Sequence, residues 1–548
     1  MPVVATPAEG ALATGSRPGY VLAVDAGTTG VRSLVVDNAG RVVDIAYREL
    51  TQHFPRPGWV EHDPVEIWQA VQSTLAEVAS RLSELGGTVA AIGITNQRET
   101  ALAWDRTTGT PVHRAIVWQD RRTSSRCAQL AEDGWLPTVR ERTGLVLDPY
   151  FSATKFEWLL ANAPCDDTGA LALGTVDTWI LWHLTGGVSS GVFATDATNA
   201  SRTMLLDTAT LRWTPELCDL FGIPVRALAD VRPSCGRFGV AHPGAVGGRS
   251  SPLAGVPVSG IAGDQQAALF GQACFDPGMA KVTYGTGSFV LANVGPLRPA
   301  PPEGLLTTVA WDLGRHGGPE RRVAYALEGS TFVSGAAVQW LRDGLGLLER
   351  VQDLGPLAES VADAGGVIVV PAFTGLGSPW WDPRARGTVT GITRGTGRAH
   401  LARATVEAMA FQVRDMTDAM RRAVGSAGSA GSAGGAGSAG GAGGAGGAGG
   451  ACNQLRADGG ASRMDLLLAL QAEQSGVPVL RARSVESTAR GAAMLAGLAE
   501  GVWGSLAALA ELWEQDIEHV PGLDRTEPDA AYERWLRAVA RSRDWAQD

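Results

Sequence analysis

Four short segments carry residue types that could do chemistry together. DAGTTG at 25–30 and YGTGSF at 284–289 each join two apolar runs through a Gly/Thr turn. Glycine lacks a Cβ, so successive N–H groups can turn inward as a nest for an anion, and the Thr hydroxyls add donors. Asp25, at the end of its run, could hold a hard cation through water; the plainer reading of either segment is a hairpin turn. GIAGDQQ at 260–266 sets Asp264 at a strand-to-helix turn. There it is either a helix N-cap or a general base that takes a proton from an alcohol attacking phosphorus. NQRET at 96–100 puts Arg98 beside Glu99, either a surface ion pair or a donor and acceptor for neighbouring hydroxyls. Trp118 and Phe289 could wall a carbon skeleton or belong to a core. Gly335 and Gln339 lie four apart on one helical face, and ADGGA at 457–461 leads into a helix. Each could meet a nucleotide or serve tight packing.

The elements that must position these residues read as mixed α/β. Short apolar runs flank both Gly/Thr turns, so each is expected to be a strand–turn–strand hairpin. VAAIGIT at 89–95 reads as a buried strand, 67–85 has helical spacing, and a long helix carries Leu401, Thr405, Met409, Val413, Met416 and Met420. The recurrence of the hairpin suggests duplicated domains with a cleft between them, across which the two turns would clamp a phosphate.

Composition narrows the class. The chain has 548 residues, 45% hydrophobic and 19% charged, enough for two or more cored domains. A net charge of −10 argues against a nucleic-acid or anionic-membrane binder, and no apolar run is long enough to span a bilayer. The 6 Cys are scattered without a CxxC pair, as in reduced thiols of a cytoplasmic protein. Lysine is nearly absent, with only Lys155 and Lys281, and reads as codon bias. Of the 71 Gly, many fall in a Gly/Ala/Ser tract at 425–451, which is expected to be a dispensable coil starting where the long helix ends. The expected organisation is an N-terminal extension at 1–18, domains at 19–271 and 272–505, and a helical tail at 506–548.

Longer segments carry a resemblance. PGWVEHDP (57–64), AAIGITNQRET (90–100), AIVWQDRRT (115–123), TGLVLDPYFSATK (143–155), TNASRTML (198–205), SGIAGDQQAALFGQ (259–272), YALEGS (325–330) and VVPAFTGLGSPWWDP (369–383) occur in order. With them the chain resembles the glycerol-phosphorylating members of the FGGY carbohydrate kinase family. The resemblance implies two actin-like, ribonuclease H-like domains with ATP and substrate between them. It implies transfer of the γ-phosphoryl of ATP, with Mg²⁺, to a terminal hydroxyl of glycerol, in a homodimer or homotetramer. By motif position Arg98, Glu99, Tyr150, Asp264 and Gln265 are the glycerol ligands, Trp118 and Phe289 its walls, and Asp264 the base. Thr28, Thr29, Gly30, Arg32, Thr286, Gly335, Gln339 and Gly460 match nucleotide contacts, and Asp25 and Asp264 the Mg²⁺ side. Ala26, Gly30 and Val31 depart from the usual first loop, and Met464 stands where Asn is frequent. GGRSSP at 247–252 lacks the pattern that binds fructose 1,6-bisphosphate in some relatives. Other polyols, sugars or sugar acids, and a non-catalytic nucleotide-binding role, are the competing readings.

Overall fold

The computed structural model describes residues 19–163, 169–431 and 451–546. The expected extension at 1–18 lies outside them. In the first half, strands β1 (Gly19–Ala26), β2 (Gly30–Val36), β3 (Val42–Glu49), β4 (Thr88–Asn96), β5 (Cys235–Val240) and β6 (Pro257–Gly263) form one sheet in the order β5-β6-β4-β1-β2-β3. In the second half, β7 (Met279–Tyr284), β8 (Ser288–Gly295), β9 (Leu306–Asp312), β10 (Val323–Thr331), β11 (Gln454–Asp458), β12 (Val479–Ala482) and β13 (Gln515–His519) follow the order β9-β10-β8-β7-β11-β12-β13.

The two sheets share one plan. In each, a hairpin continues antiparallel into a third strand, as β1-β2-β3 and β7-β8-β10. On the other side of the first strand lie two parallel strands, β4 and β6 or β11 and β12. The hairpin repetition seen in the sequence is therefore the visible part of a whole-sheet duplication. Parallel strands must be covered on both faces, which explains the nearly continuous apolar runs of β4 and β6, while β11 and β12 each admit an arginine.

Helix α1 (Pro64–Leu85) covers β2 and β3; the Asp63 carboxylate caps it by accepting from the Val65 N–H, and Gly86 ends it in the left-handed region at φ 71°. Helix α2 (Asp264–Gly271) starts directly at the end of β6. The long helix α3 runs over Arg398–Gly431 and so passes the start of the Gly/Ala/Ser tract. Extending a formed helix adds a hydrogen bond per residue, so the helix runs on through GSAGSAG at 425–431 where a fresh nucleus would not form. The rest of the tract, 432–450, lies outside the described residues. Helix α4 (Asp465–Ser475) follows β11.

Helix α5 (Ser487–Ala499) comes late in the chain yet packs on β1, β4, β6 and α2 of the first half. It joins Val21, Ala91, Phe270 and Leu291 in one core that continues from half to half. The crossing with α2 is close: a Cβ on Gly491 would overlap the carbonyl oxygen of Ala267. Gly491→Ala is expected to destabilise the protein by about 3 kcal/mol, as overpacking against rigid backbone does, with thermal unfolding as the check. A midpoint equal to that of the parent would contradict this packing.

The tail at 506–548 is not purely helical as expected. It supplies β13, which pairs antiparallel with β12 and shields the sheet edge, before α6 (Thr526–Ser542) docks. Asp415 on α3 latches α6 by accepting from Tyr532 Oη at 2.6 Å and Trp535 Nε1 at 3.0 Å. Burial, opposed by those donors, pushes the Asp415 carboxyl up to about 7. A carboxyl raised on folding contributes stability that is present below its unfolded value and lost as pH rises through the folded one. The thermal midpoint should therefore carry an Asp415-dependent fall between about pH 4 and 7, which Asp415→Asn removes. An unchanged pH slope in the variant would contradict the assignment.

Candidate functional site

The first sheet presents three parallel strand ends side by side. Asp25 on β1 is in register with Thr95 on β4, and Gly263 on β6 with Asn96. Ligands of open α/β sheets sit outside such carboxyl ends. Each end releases one of the chemical segments: the first Gly/Thr turn, NQRET, and Asp264 at the first residue of α2. Reciprocal bonds of 3.0 and 3.1 Å between the side-chain amides of Asn96 and Asn199 fix the β4 exit.

Arg98 and Glu99 are 2% and 1% exposed, which removes the surface ion-pair reading. Nor are they each other's main partners, since Arg98 Nε lies 3.7 Å from Glu99 Oε1. Arg98 instead grips Glu328 of β10 with both forks, at 2.7 and 3.0 Å. It also donates to the Tyr150 hydroxyl and Gln266 Oε1, each at 3.2 Å. Glu99 accepts from Arg202 Nε at 2.6 Å, and Arg202 Nη2 reaches Glu328 at 2.9 Å. The expectation that Arg98 offers its guanidinium to a polyol is thereby narrowed: its Nη atoms are committed, and Nε is turned to Asp264 Oδ1 at 3.2 Å. Glu99 holds φ 60°, a conformation that costs a non-glycine residue free energy and recurs at functional sites.

Two arginines against three carboxylates set the charge states. Burial alone would raise Glu328, but Arg202 and Arg98 hold its carboxyl down at about 2. Glu99 and Asp264 are raised, burial outweighing Arg98 in both, helped against by Arg202 at Glu99 and Lys281 at Asp264. Asp264 differs from the other two in keeping a 32% exposed side chain. It is thus the carboxylate of this cluster most open to solvent. Its Oδ1 accepts from the Gln265 N–H at 2.7 Å, a turn contact rather than an N-cap bond, since Asp264 is itself the first helical residue.

Trp118 stands beside the cluster, its ring at 5.7 Å from that of Tyr150, and its Nε1 donates to Thr28 Oγ1 at 3.0 Å. The first hairpin and the Trp118 ring are therefore mechanically joined. Phe289 is half-buried on β8 opposite Ser330, two residues beyond Glu328 on β10.

Among the expected nucleotide contacts the structure separates exposed groups from packed ones. Thr29, Thr286, Gln339 and Gly460 are exposed. Gly335 is not inside a helix, as expected, but opens the short helix Gly335–Gln339, where the interior penalty for glycine does not apply. A Cβ there would lie 2.6 Å from the carbonyl oxygen of Gly285, so the glycine answers to the second hairpin turn, not to a ligand. Gly30 likewise has the Arg48 carbonyl oxygen 2.6 Å from where its Cβ would be. Arg32 is occupied by Asp25 at 2.6 Å and Glu486 at 2.7 Å, tying the first hairpin to the start of α5.

A divalent cation fits the first hairpin in one way. Mg²⁺ keeps most of its waters and takes one or two carboxylates plus phosphate oxygens. Asp25 and Asp264, close enough that Asp25 raises the proton affinity of Asp264, offer that pair, Asp25 through the oxygen that Arg32 leaves free.

The N-terminal domain model of the FGGY family of carbohydrate kinases matches residues 20–271, and the C-terminal domain model matches 280–500. The chain belongs to the FGGY family of carbohydrate kinases. Its FGGY relatives include a glycerol kinase of Symbiobacterium thermophilum, 49% identical over 97% of this chain and 99% of that protein. A glycerol kinase of Halorhodospira halophila is 48% identical over 96% of this chain and 97% of that one. A Plasmodium falciparum glycerol kinase solved with ADP superimposes with a TM-score of 0.85 at 31% identity, over 97% of this chain and 99% of its own. A gluconate kinase of Lactobacillus acidophilus, at 20% identity and a TM-score of 0.78, shares the fold. The FGGY kinase described here thus has the two-domain, actin-like architecture, with the Arg98–Glu99–Asp264 cluster on the first sheet and Glu328 reaching in from the second.

Two members of the cluster, Glu328 and Arg202, were not singled out among the sequence candidates. Both lie in quoted segments, YALEGS and TNASRTML. An acidic residue in an otherwise apolar strand was the available signal for Glu328.

Proposed function

We propose that this chain transfers the γ-phosphoryl group of ATP to a terminal hydroxyl of glycerol, giving sn-glycerol 3-phosphate. The observation that carries the reading is Asp264: a partly open carboxylate with raised proton affinity, aimed by Arg98 and set at the strand ends beside both Gly/Thr hairpins. Near-full-length likeness to glycerol kinases supports the choice of acceptor.

Asp264 accepts the proton as the hydroxyl attacks, a task served by a carboxylate more basic than usual. Glu99, with one oxygen on Arg202, has the other for a second hydroxyl, and the Gln265 amide for a third; Trp118 and Phe289 enclose the carbons. Thr28, Thr29 and Thr286, with the backbone of Gly30 and Gly460 and the side chain of Gln339, line the phosphate and nucleotide path. Mg²⁺ held through Asp25 and Asp264 would neutralise charge on the phosphate oxygens. Positioning by groups that are already fixed supplies the rest, because phosphoryl transfer asks the protein chiefly for alignment and charge. The five cysteines among the described residues are buried and free, in keeping with a cytoplasmic setting, and among those residues no helix is long and apolar enough to cross a membrane.

The test is ADP release with MgATP in the presence and absence of glycerol, with the product identified by a stereospecific glycerol-3-phosphate dehydrogenase. Glycerol-dependent release with that product is expected; release indifferent to glycerol would overturn the reading.

A further inference from the structure

The chain's two lysines are not scattered at random. Arginine fills every other basic position of the 46, yet Lys155 and Lys281 are both 0% exposed, and each stands directly behind an acceptor-site residue. Lys155 Nζ donates to the backbone carbonyl of Tyr150 at 2.7 Å. Lys281, on β7, donates to Gln265 Oε1 on α2 and to Thr283 Oγ1 at 2.8 Å. A compact ammonium with three rotatable donors fits such a place, whereas a planar guanidinium brings five donors in a rigid fork.

We propose that Lys281 is a positioning residue for the acceptor site. By engaging Gln265 Oε1 it fixes which way the side-chain amide faces, so that the amide NH₂ is the group left for a substrate hydroxyl. An amide without such a partner can turn over, exchanging donor for acceptor at nearly the same shape. The contact also joins the strand that feeds the second Gly/Thr hairpin to the helix that carries Asp264, and so links the two halves of the chain at the reacting centre. The groups facing the ammonium are Asp458, Asp264 and Glu328, which favour its charge, and Arg98, which opposes it. Burial draws the amine down to about 8, so at neutral pH it still carries most of its charge.

This rests on the acceptor-site reading above, and the experiment separates the two. Lys281→Met is expected to raise the KM for glycerol about 10-fold or more, the scale of one lost charge-assisted hydrogen bond, and to leave the KM for ATP within twofold. A glycerol KM within twofold of the parent overturns the proposal. Should the variant fail to fold, wild-type protein labelled with ε-¹³C lysine gives two side-chain signals, assigned by loss of one in Lys155→Arg. The Lys281 signal should shift on adding glycerol alone; a signal that does not move overturns the proposal. If the wild type prefers another acceptor, the glycerol assignment fails by itself, and Lys281 is judged on the KM and the signal shift for that acceptor by the same limits.

Discussion

Asp264→Asn is expected to lower kcat by about 10³-fold while glycerol binding stays measurable. The asparagine keeps an oxygen that can accept from Arg98 Nε and the Gln265 N–H, so the surrounding cluster stays assembled. What disappears is the capacity to take the alcohol proton. A helix-capping role, the alternative open on sequence, predicts unchanged stability and no such loss of turnover, because Asn caps as well as Asp. Steady-state kinetics beside calorimetric titration of glycerol distinguishes the two. Full activity in the variant would remove Asp264 as the base.

The second large effect belongs to Glu328. Its carboxylate is shared by Arg98 and Arg202, and all three side chains are essentially inaccessible to solvent. Glu328→Ala leaves two guanidinium groups buried without that counter-charge, and breaking a buried pair from one side destabilises by about 3–5 kcal/mol. At about 2–4 °C per kcal/mol for a domain of this size, the thermal midpoint should fall by roughly 10 °C. Activity should fall with it, since Arg98 aims Asp264. The pH sign is opposite to that of Asp415. The Glu328 carboxyl lies below its unfolded value, so its contribution is present above about 4.5 and is lost as pH falls through about 2. A Glu328→Ala protein as stable as the parent at pH 7 would contradict the network.

Much of the frame was legible in the sequence because its signals are local. A Gly/Thr turn between two apolar runs defines a hairpin within a dozen residues, and β1-β2 and β7-β8 formed where the pattern placed them. Asp264, Arg98 and Glu99 were legible as polar residues released at strand ends. The partnerships were not. Arg98 and Glu99 are neighbours in sequence, yet their tight bonds go to Glu328 and Arg202, which separate elements deliver from far along the chain. At Gly30 and Gly335 the sequence left a ligand contact and a packing or turn role both open, and in the structure a neighbouring segment occupies the space where a Cβ would lie. A missing Cβ looks the same in sequence whichever atom approaches it. The two lysines show the converse: a count that reads as codon bias acquires a place once both amines are found buried behind the acceptor site.

The most direct measurement is kcat/KM across acceptors, comparing glycerol with D-xylulose and D-gluconate at saturating MgATP. The buried Arg98–Glu328–Arg202–Glu99 cluster, with Asp264 as its open edge, predicts glycerol ahead by at least about 10²-fold, the discrimination expected of a site whose paired donors and acceptors match one polyol. A ketose or sugar acid turned over as efficiently as glycerol, or more so, would contradict the account.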